Sequence, residues 1–211
     1  MRWIATAFLS LFLQAAAPPP PDLPPAYPRP GATKILTNER VQVWNIAWLK
    51  GQAYALHRHI YDLVGVYYEP GDRMIISAEG GRRPVSTNAG DIAFQLKGVT
   101  HVEEGTSESP LRAVFVEMKD AGPSGRVVTR AEAAPTLGGA GAKQLLDNVR
   151  VTVWAYAKPA GSGGLRHQHE RDAVVVWVDG PTPHAVWVPA GTVHSEEQIG
   201  VTSAATIFEL K

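Results

Sequence analysis

Six of the seven histidines fall into two sets with the same internal spacing. The first set runs from Gly51 through five residues to His57, Arg58 and His59, with Gly98 and His101 further along. The second runs from Gly161 through five residues to His167, Gln168 and His169, with Gly191 and His194 further along; only His184 falls outside. Side chains alternate faces along a strand, so both histidines of an H-x-H pair project from one side of it. Two such imidazoles offer two nitrogen ligands. A third histidine from a neighbouring strand completes a facial triad that leaves coordination positions open for water, oxygen or a small substrate. A single histidine reads equally well as a hydrogen-bonded core residue. A pair plus a third, occurring twice, favours a metal. Neutral imidazole suits iron, zinc, copper and nickel, so the expected cofactor is one divalent transition ion per chain, or two if both sets are filled.

Carboxylates near these histidines are the next candidates. Glu103 and Glu196 each stand two residues beyond the third histidine and therefore on its strand face. Either could orient a histidine or move a proton, and Glu103 is the candidate catalytic acid/base; a solvated glutamate pair at a strand end is the plain alternative. Asp62 and Asp172 keep one offset in both copies. By alternation they face away from the histidines, which predicts an ion pair or a turn contact unless a bulge rotates them inward.

The elements that must position these residues read as strands. Val41 to Trp44, Tyr54 to His59, Val64 to Tyr68, Met74 to Ser77, Asp91 to Gln95 and Arg112 to Met118 carry β-rich or alternating patterns. Asp120 to Ala142 is rich in Gly, Ala and Pro and reads as a linker with room for one short helix around Arg130 to Ala134. Strand patterns resume at Val149 to Tyr156, Ala173 to Val178, Ala185 to Val188 and Ala204 to Leu210. The two blocks match in order. KGVTHVEE (Lys97 to Glu104) lies over AGTVHSEE (Ala190 to Glu197), and each is followed by a closing strand. This is duplication of one unit. The stretch from His169 to His194 is shorter than that from His59 to His101, so the second copy lacks about one hairpin. As a small unit without disulfides, it is expected to pack tightly on the first.

Composition excludes several classes. The chain has 211 residues, 20 basic and 20 acidic groups, no basic stripe for nucleic acid and no cysteine for a thiolate site or a disulfide. Arg2, the apolar run Ile4 to Leu13 and Ala15-Ala16-Ala17 have the layout of a secretory leader, and the run is shorter than the roughly 20 residues a membrane span needs. Residues 18 to 30, with their many prolines, predict an extended, solvated tether.

Gly51-x5-His57-x-His59 followed by Gly98-x2-His101 resembles the two signature motifs of the cupin superfamily, and the second copy makes the chain similar to a bicupin. The resemblance covers most of residues 34 to 211. It implies all-β, double-stranded β-helix (jelly-roll) barrels in tandem, with the histidines pointing inward onto a metal. The superfamily includes dioxygenases, decarboxylases, sugar isomerases and non-catalytic binding proteins. Several positions depart from its pattern. Where the family places a glutamate ligand, this chain has Leu63 and Val64, then Ala173 and Val174. Leu96 replaces a common proline that Pro189 restores, and Gly105 and Gln198 replace an asparagine.

The expected organisation is a signal peptide over 1–17, a proline-rich linker over 18–33, one barrel over 34–119, a linker over 120–142 and a shortened barrel over 143–211. The expected function is that of an exported, periplasmic or secreted metalloenzyme of dioxygenase-like type acting on a small molecule. A non-catalytic ligand-binding or sensing protein with a vestigial metal site is the alternative. No nucleic acid and, after leader removal, no membrane is expected as a partner, and the chain is expected to be a monomer or homodimer.

Overall fold

The computed structural model describes residues 22–120, 135–158 and 164–211. The expected signal peptide, the first prolines of the tether, the short helix considered near Arg130 and the glycine at 161 lie outside the described residues. Nine strands form the first half: β1 (Ala32–Thr37), β2 (Val41–Trp48), β3 (His57–Arg58), β4 (Asp62–Glu69), β5 (Gly71–Ser77), β6 (Arg82–Thr87), β7 (Ile92–Gln95), β8 (Thr100–Gly105) and β9 (Leu111–Met118). Seven form the second: β10 (Lys143–Asp147), β11 (Val151–Ala157), β12 (His167–Gln168), β13 (Ala173–Asp179), β14 (Thr182–Val188), β15 (Val193–His194) and β16 (Ala204–Leu210). A 3-10 turn, Glu196–Ile199, is the only helical element among the described residues.

Barrel 1 pairs a sheet of order β1-β2-β9-β4-β7 with one of order β3-β8-β5-β6. Barrel 2 repeats the first sheet as β10-β11-β16-β13-β14 but keeps only β12-β15 of the other. The lost hairpin is therefore β5–β6. Local details repeat too. The β1/β2 and β10/β11 pairs shift register at the same place, between Lys34 and Leu36 and between Gln144 and Leu146. The turns that follow are closed alike, by the side-chain oxygens of Asn38 and Asn148 accepting from the amides two and three positions on, Arg40 and Val41 or Arg150 and Val151.

Strand alternation divides the core. In β2, Val41 and Val43 face outward while Trp44, Ile46 and Trp48 fill the interior. The outward valines of β2, β4 and β9 join those of β11 and β13, with Phe208 and Leu210, in one buried cluster. The two large sheets thus pack face to face, and β-branched residues suit that flat contact. This answers the small size of barrel 2: its stability is shared with its neighbour.

Polar contacts seal the same junction symmetrically. Arg40 pairs with Asp172 at 3.2 Å and Arg150 with Asp62 at 2.8 Å. Each aspartate's other oxygen accepts a backbone amide from the loop that carries the third histidine, Lys97 N at 2.8 Å and Ala190 N at 3.0 Å. The repeated aspartate is therefore both an ion-pair partner and a loop anchor, pointing away from the metal-ligand candidates. Asp172→Ala is expected to lower stability by about 1–2 kcal/mol in urea denaturation, more than Arg40→Ala, because only the former also frees a backbone amide.

Three expectations are corrected. Only His57–Arg58 of the expected Tyr54 to His59 strand is paired as a strand, although His57 and His59 are both buried with Arg58 between them. The proline-rich segment is not solvated throughout: Ala26 and Tyr27 are buried, and Tyr27 stacks on Trp44 with centroids 5.2 Å apart. Proline lacks a donor but keeps its carbonyl, and Pro24 O accepts from Arg58 N at 2.9 Å, extending the edge at β3. β1 also starts at Ala32, inside the range read as linker.

Candidate metal centres

In barrel 1, β3 and β8 pair with His57 directly opposite His101. His59 follows on the same face, and its carbonyl accepts from Gly98 N at 2.7 Å. That turn needs φ of +89° at Gly98, a conformation glycine adopts without strain, and this accounts for the glycine of G-x-x-H. Barrel 2 repeats the arrangement: His167 stands opposite His194, Gly191 has φ of +87°, and its amide donates to His169 O at 2.7 Å. All six histidines are buried.

Backbone carbonyls fix several rings. His57 Nδ1 lies 2.9 Å from Ala55 O, His167 Nδ1 3.3 Å from Leu165 O and His194 Nδ1 3.1 Å from Ser195 O. A carbonyl only accepts, so each Nδ1 carries the proton and each Nε2 presents a lone pair inward. Burial, first of all, keeps these rings from charging. It lowers His57, His101 and His194, takes His167 down to about 4 with help from His169, and takes His59 to about 3 with help from His101 and His57. Neutral imidazole is the metal-binding form.

The donor sets fit a metal. His59 Nε2 and His101 Nε2 are 3.3 Å apart, and His167 Nε2 and His169 Nε2 are 3.2 Å apart. Two nitrogens bound to one ion at tetrahedral angles lie about 3.3 Å from each other. The candidate ligand atoms of His57, His59 and His101 all fall within 4.8 Å of one another, as do those of His167, His169, His194 and Glu196.

Glu196 could supply the fourth ligand that the usual family position lacks. Without a β5 equivalent to pair with, the chain after His194 coils into the 3-10 turn instead of continuing as a strand, and this brings Glu196 Oε1 to 3.3 Å from His167 Nε2. Both Glu196 oxygens and His194 Nε2 are buried without a hydrogen-bond partner. Burial pushes the Glu196 carboxyl up to about 7. Four converging donors, one an orphaned carboxylate, could hold a cation in a closed site. Shortening has not impoverished the second copy.

Glu103 has the opposite fate. It accepts from Trp48 Nε1 at 2.9 Å and Arg29 Nη2 at 3.2 Å, with Arg73 Nε at 3.6 Å, and stands 3.9 Å from His101 Nε2. Burial raises its pKa, but Arg29 and Arg73 outweigh burial and hold it at about 2. A carboxylate fixed in this way stays ionised near neutral pH and is a poor proton carrier. Barrel 1 is left with three histidine donors and an adjoining cavity of about 290 Å³ that reaches His59.

Several supporting residues escaped sequence reasoning. Trp44 donates to Glu117 and Trp154 to Glu209, both at 2.8 Å, and Glu209 also meets His169 Nδ1 at 3.1 Å. His59 Nδ1 has no such partner. The signal was present: a tryptophan and a glutamate recur at matching places in both copies. His184, outside the sets, stacks on Trp177.

No family model matches the chain. No curated protein matches it in sequence. Among solved structures, AerE from Microcystis aeruginosa is 14% identical, with a TM-score of 0.53 over 86% of this chain and 97% of that one. A Cupin 2 conserved barrel domain protein from Leptotrichia buccalis is 17% identical over 85% of this chain and 88% of its own, with a TM-score of 0.48. A cupin domain from Bordetella pertussis is 29% identical over 44% of this chain and 99% of its own, with a TM-score of 0.39. The likeness to AerE spans both halves and concerns the fold. Two tandem jelly-roll barrels, each bringing an H-x-H pair and a G-x-x-H histidine to one interior point, give this chain a bicupin-type fold.

Proposed function

We propose that the protein is an exported metalloenzyme of dioxygenase-like type that works on a small organic molecule from barrel 1, while barrel 2 holds a structural metal. The observation that carries this reading is the contrast between the sites. Barrel 1 offers three histidine donors beside a cavity; barrel 2 offers four donors, each buried. Catalytic metal sites keep open positions and structural ones are closed. A metal at His57, His59 and His101 would supply Lewis-acid or redox chemistry. Around it, the protein's residues bind and orient the substrate, and Leu63, Phe94 and Phe115 keep water from the cavity's inner wall.

Elemental analysis tests the assignment. About two equivalents of metal per chain are expected, falling to about one in His57→Ala/His59→Ala and in His167→Ala/His169→Ala alike, with only the second pair losing most of its metal-dependent thermal stability. Metal in neither sample would sink the reading.

One observation favours a second reading, a non-catalytic binder. With Glu103 held by two arginines, no carboxylate among the described residues is grouped with the barrel 1 histidines and free to carry a proton. Export rests on Arg2, Ile4 to Leu13 and Ala15 to Ala17, and N-terminal sequencing of protein from the periplasm or medium, starting within a few residues of Ala17, is the expected result. Among the described residues no helix is long and apolar enough to cross a membrane.

A further inference from the structure

We propose that the barrel 1 cavity binds its ligand through a carboxylate, held by Arg73 and Gln95 with Arg83 at the rim; this deepens the reading of barrel 1 as the working site and rests on it. The chemistry is set by donors without acceptors. Arg73 is 9% exposed, and its Nη1 is buried without a hydrogen-bond partner, as is Gln95 Nε2. Both residues line the cavity, as does Arg83. The one acid on the lining, Glu103, is already engaged by Arg29 and Trp48 as well as by Arg73 Nε. Counting Arg73 and Arg83 against Glu103 leaves an excess of positive charge on a lining that also includes His59. A guanidinium Nη1 and an amide Nε2 left without acceptors in a buried cavity are costly, and a carboxylate supplies what they lack.

The rest of the lining asks for an organic body. Leu63, Phe94 and Phe115 form apolar walls, which a bare inorganic anion would leave uncovered. At about 290 Å³ the cavity is at the small end of ligand sites, suited to a molecule of on the order of ten non-hydrogen atoms.

Strand register explains why only one barrel has this site. Across β8, β5 and β6, Glu103 stands opposite Ile75 and Ile75 opposite Arg83, which aligns the three on one face. Arg73 lies on the same face of β5, two residues before Ile75. The hairpin that supplies both arginines is the one barrel 2 lacks. Its loss frees Glu196 for the metal-binding set, and its presence ties Glu103 to the cavity.

Isothermal titration of the full chain, chelator-treated and metal-loaded, with benzoate, benzamide and inorganic phosphate tests this. Benzoate is expected to bind both forms, at least about tenfold more tightly than benzamide, which has the same ring but no charge. Arg83→Ala should weaken benzoate about fivefold. Arg82→Ala, whose side chain pairs with Glu104 on the other face, should leave it unchanged. Benzoate binding no better than benzamide or phosphate, or an Arg83→Ala variant of wild-type affinity, overturns the proposal. Because the metal-free form is titrated too, a failed metal assignment shows in the elemental analysis and not here.

Discussion

Glu196→Gln is expected to make the metal-free protein more stable by about 3 kcal/mol at pH 8 and to weaken its zinc affinity by at least about a hundredfold. Burial, with help from Glu197, raises this carboxyl from 4.5 to about 7. A carboxyl raised in the folded state leaves stability intact below about 4.5. Stability then declines as the pH climbs, because the unfolded chain ionises first, and the loss is complete above about 7. At about 1.4 kcal/mol per unit the difference amounts to about 3 kcal/mol. Glutamine does not titrate, and its amide can donate to the His167 Nε2 lone pair that the carboxyl now faces at 3.3 Å. Its advantage should vanish at pH 4.5.

Metal cancels most of the gain. The ionised carboxylate that destabilises the empty site is a ligand once a cation arrives, and losing a hundredfold in affinity removes about 2.7 kcal/mol of ligand-linked stability at saturating zinc. Urea denaturation at pH 4.5 and 8, with chelator and with zinc, reads all four values. A gain that is the same at both pH values, or an unchanged response to zinc, would show that Glu196 is not part of a cation site.

The sequence shows local periodicity and spacing, and what was legible in it follows from those. Alternation placed His57 with His59 and His167 with His169, the duplicate motifs predicted two barrels, and the shorter gap between His169 and His194 predicted the missing hairpin. Long-range partners decided the rest. β6 reads poorly as a strand because Arg82, Arg83 and Pro84 occupy an edge with one polar face. Tyr54 to Leu56 alternate like a strand but find few ladder partners. Tyr27 and Arg29 look like parts of a solvated tether until Trp44 and Glu103, both far along the chain, are brought to them. Glu103 and Glu196 share one motif position, and partners from elsewhere decide their fates: Arg73 on β5, Trp48 on β2 and Arg29 hold Glu103, whereas barrel 2 has no β5–β6 hairpin.

Glu103→Gln should accordingly destabilise the protein, by about 3 kcal/mol at pH 7, where the same exchange at Glu196 stabilises it. Removing this charge leaves Arg29 and Arg73 facing each other without their counter-ion, in a site where Glu103 is 6% exposed. Breaking a buried pair from one side typically costs about 3–5 kcal/mol. Linkage gives a similar figure and the pH window: the carboxyl sits at about 2 against an ordinary 4.5, so its contribution is present above about 4.5 and is lost as the pH falls toward 2. The penalty of the variant should shrink through that same range. Adding Arg29→Met should restore part of the loss, because one of the two unpaired cations goes with it. Detachment of the N-terminal segment gives a local readout, since the Arg58 amide held by Pro24 O at 2.9 Å would exchange with deuterium faster. A neutral Glu103→Gln, or one whose sign matches that of Glu196→Gln, would mean that the arginines do not hold this carboxylate. In that case Glu103 would be free to complete a cation site in barrel 1, as Glu196 could in barrel 2.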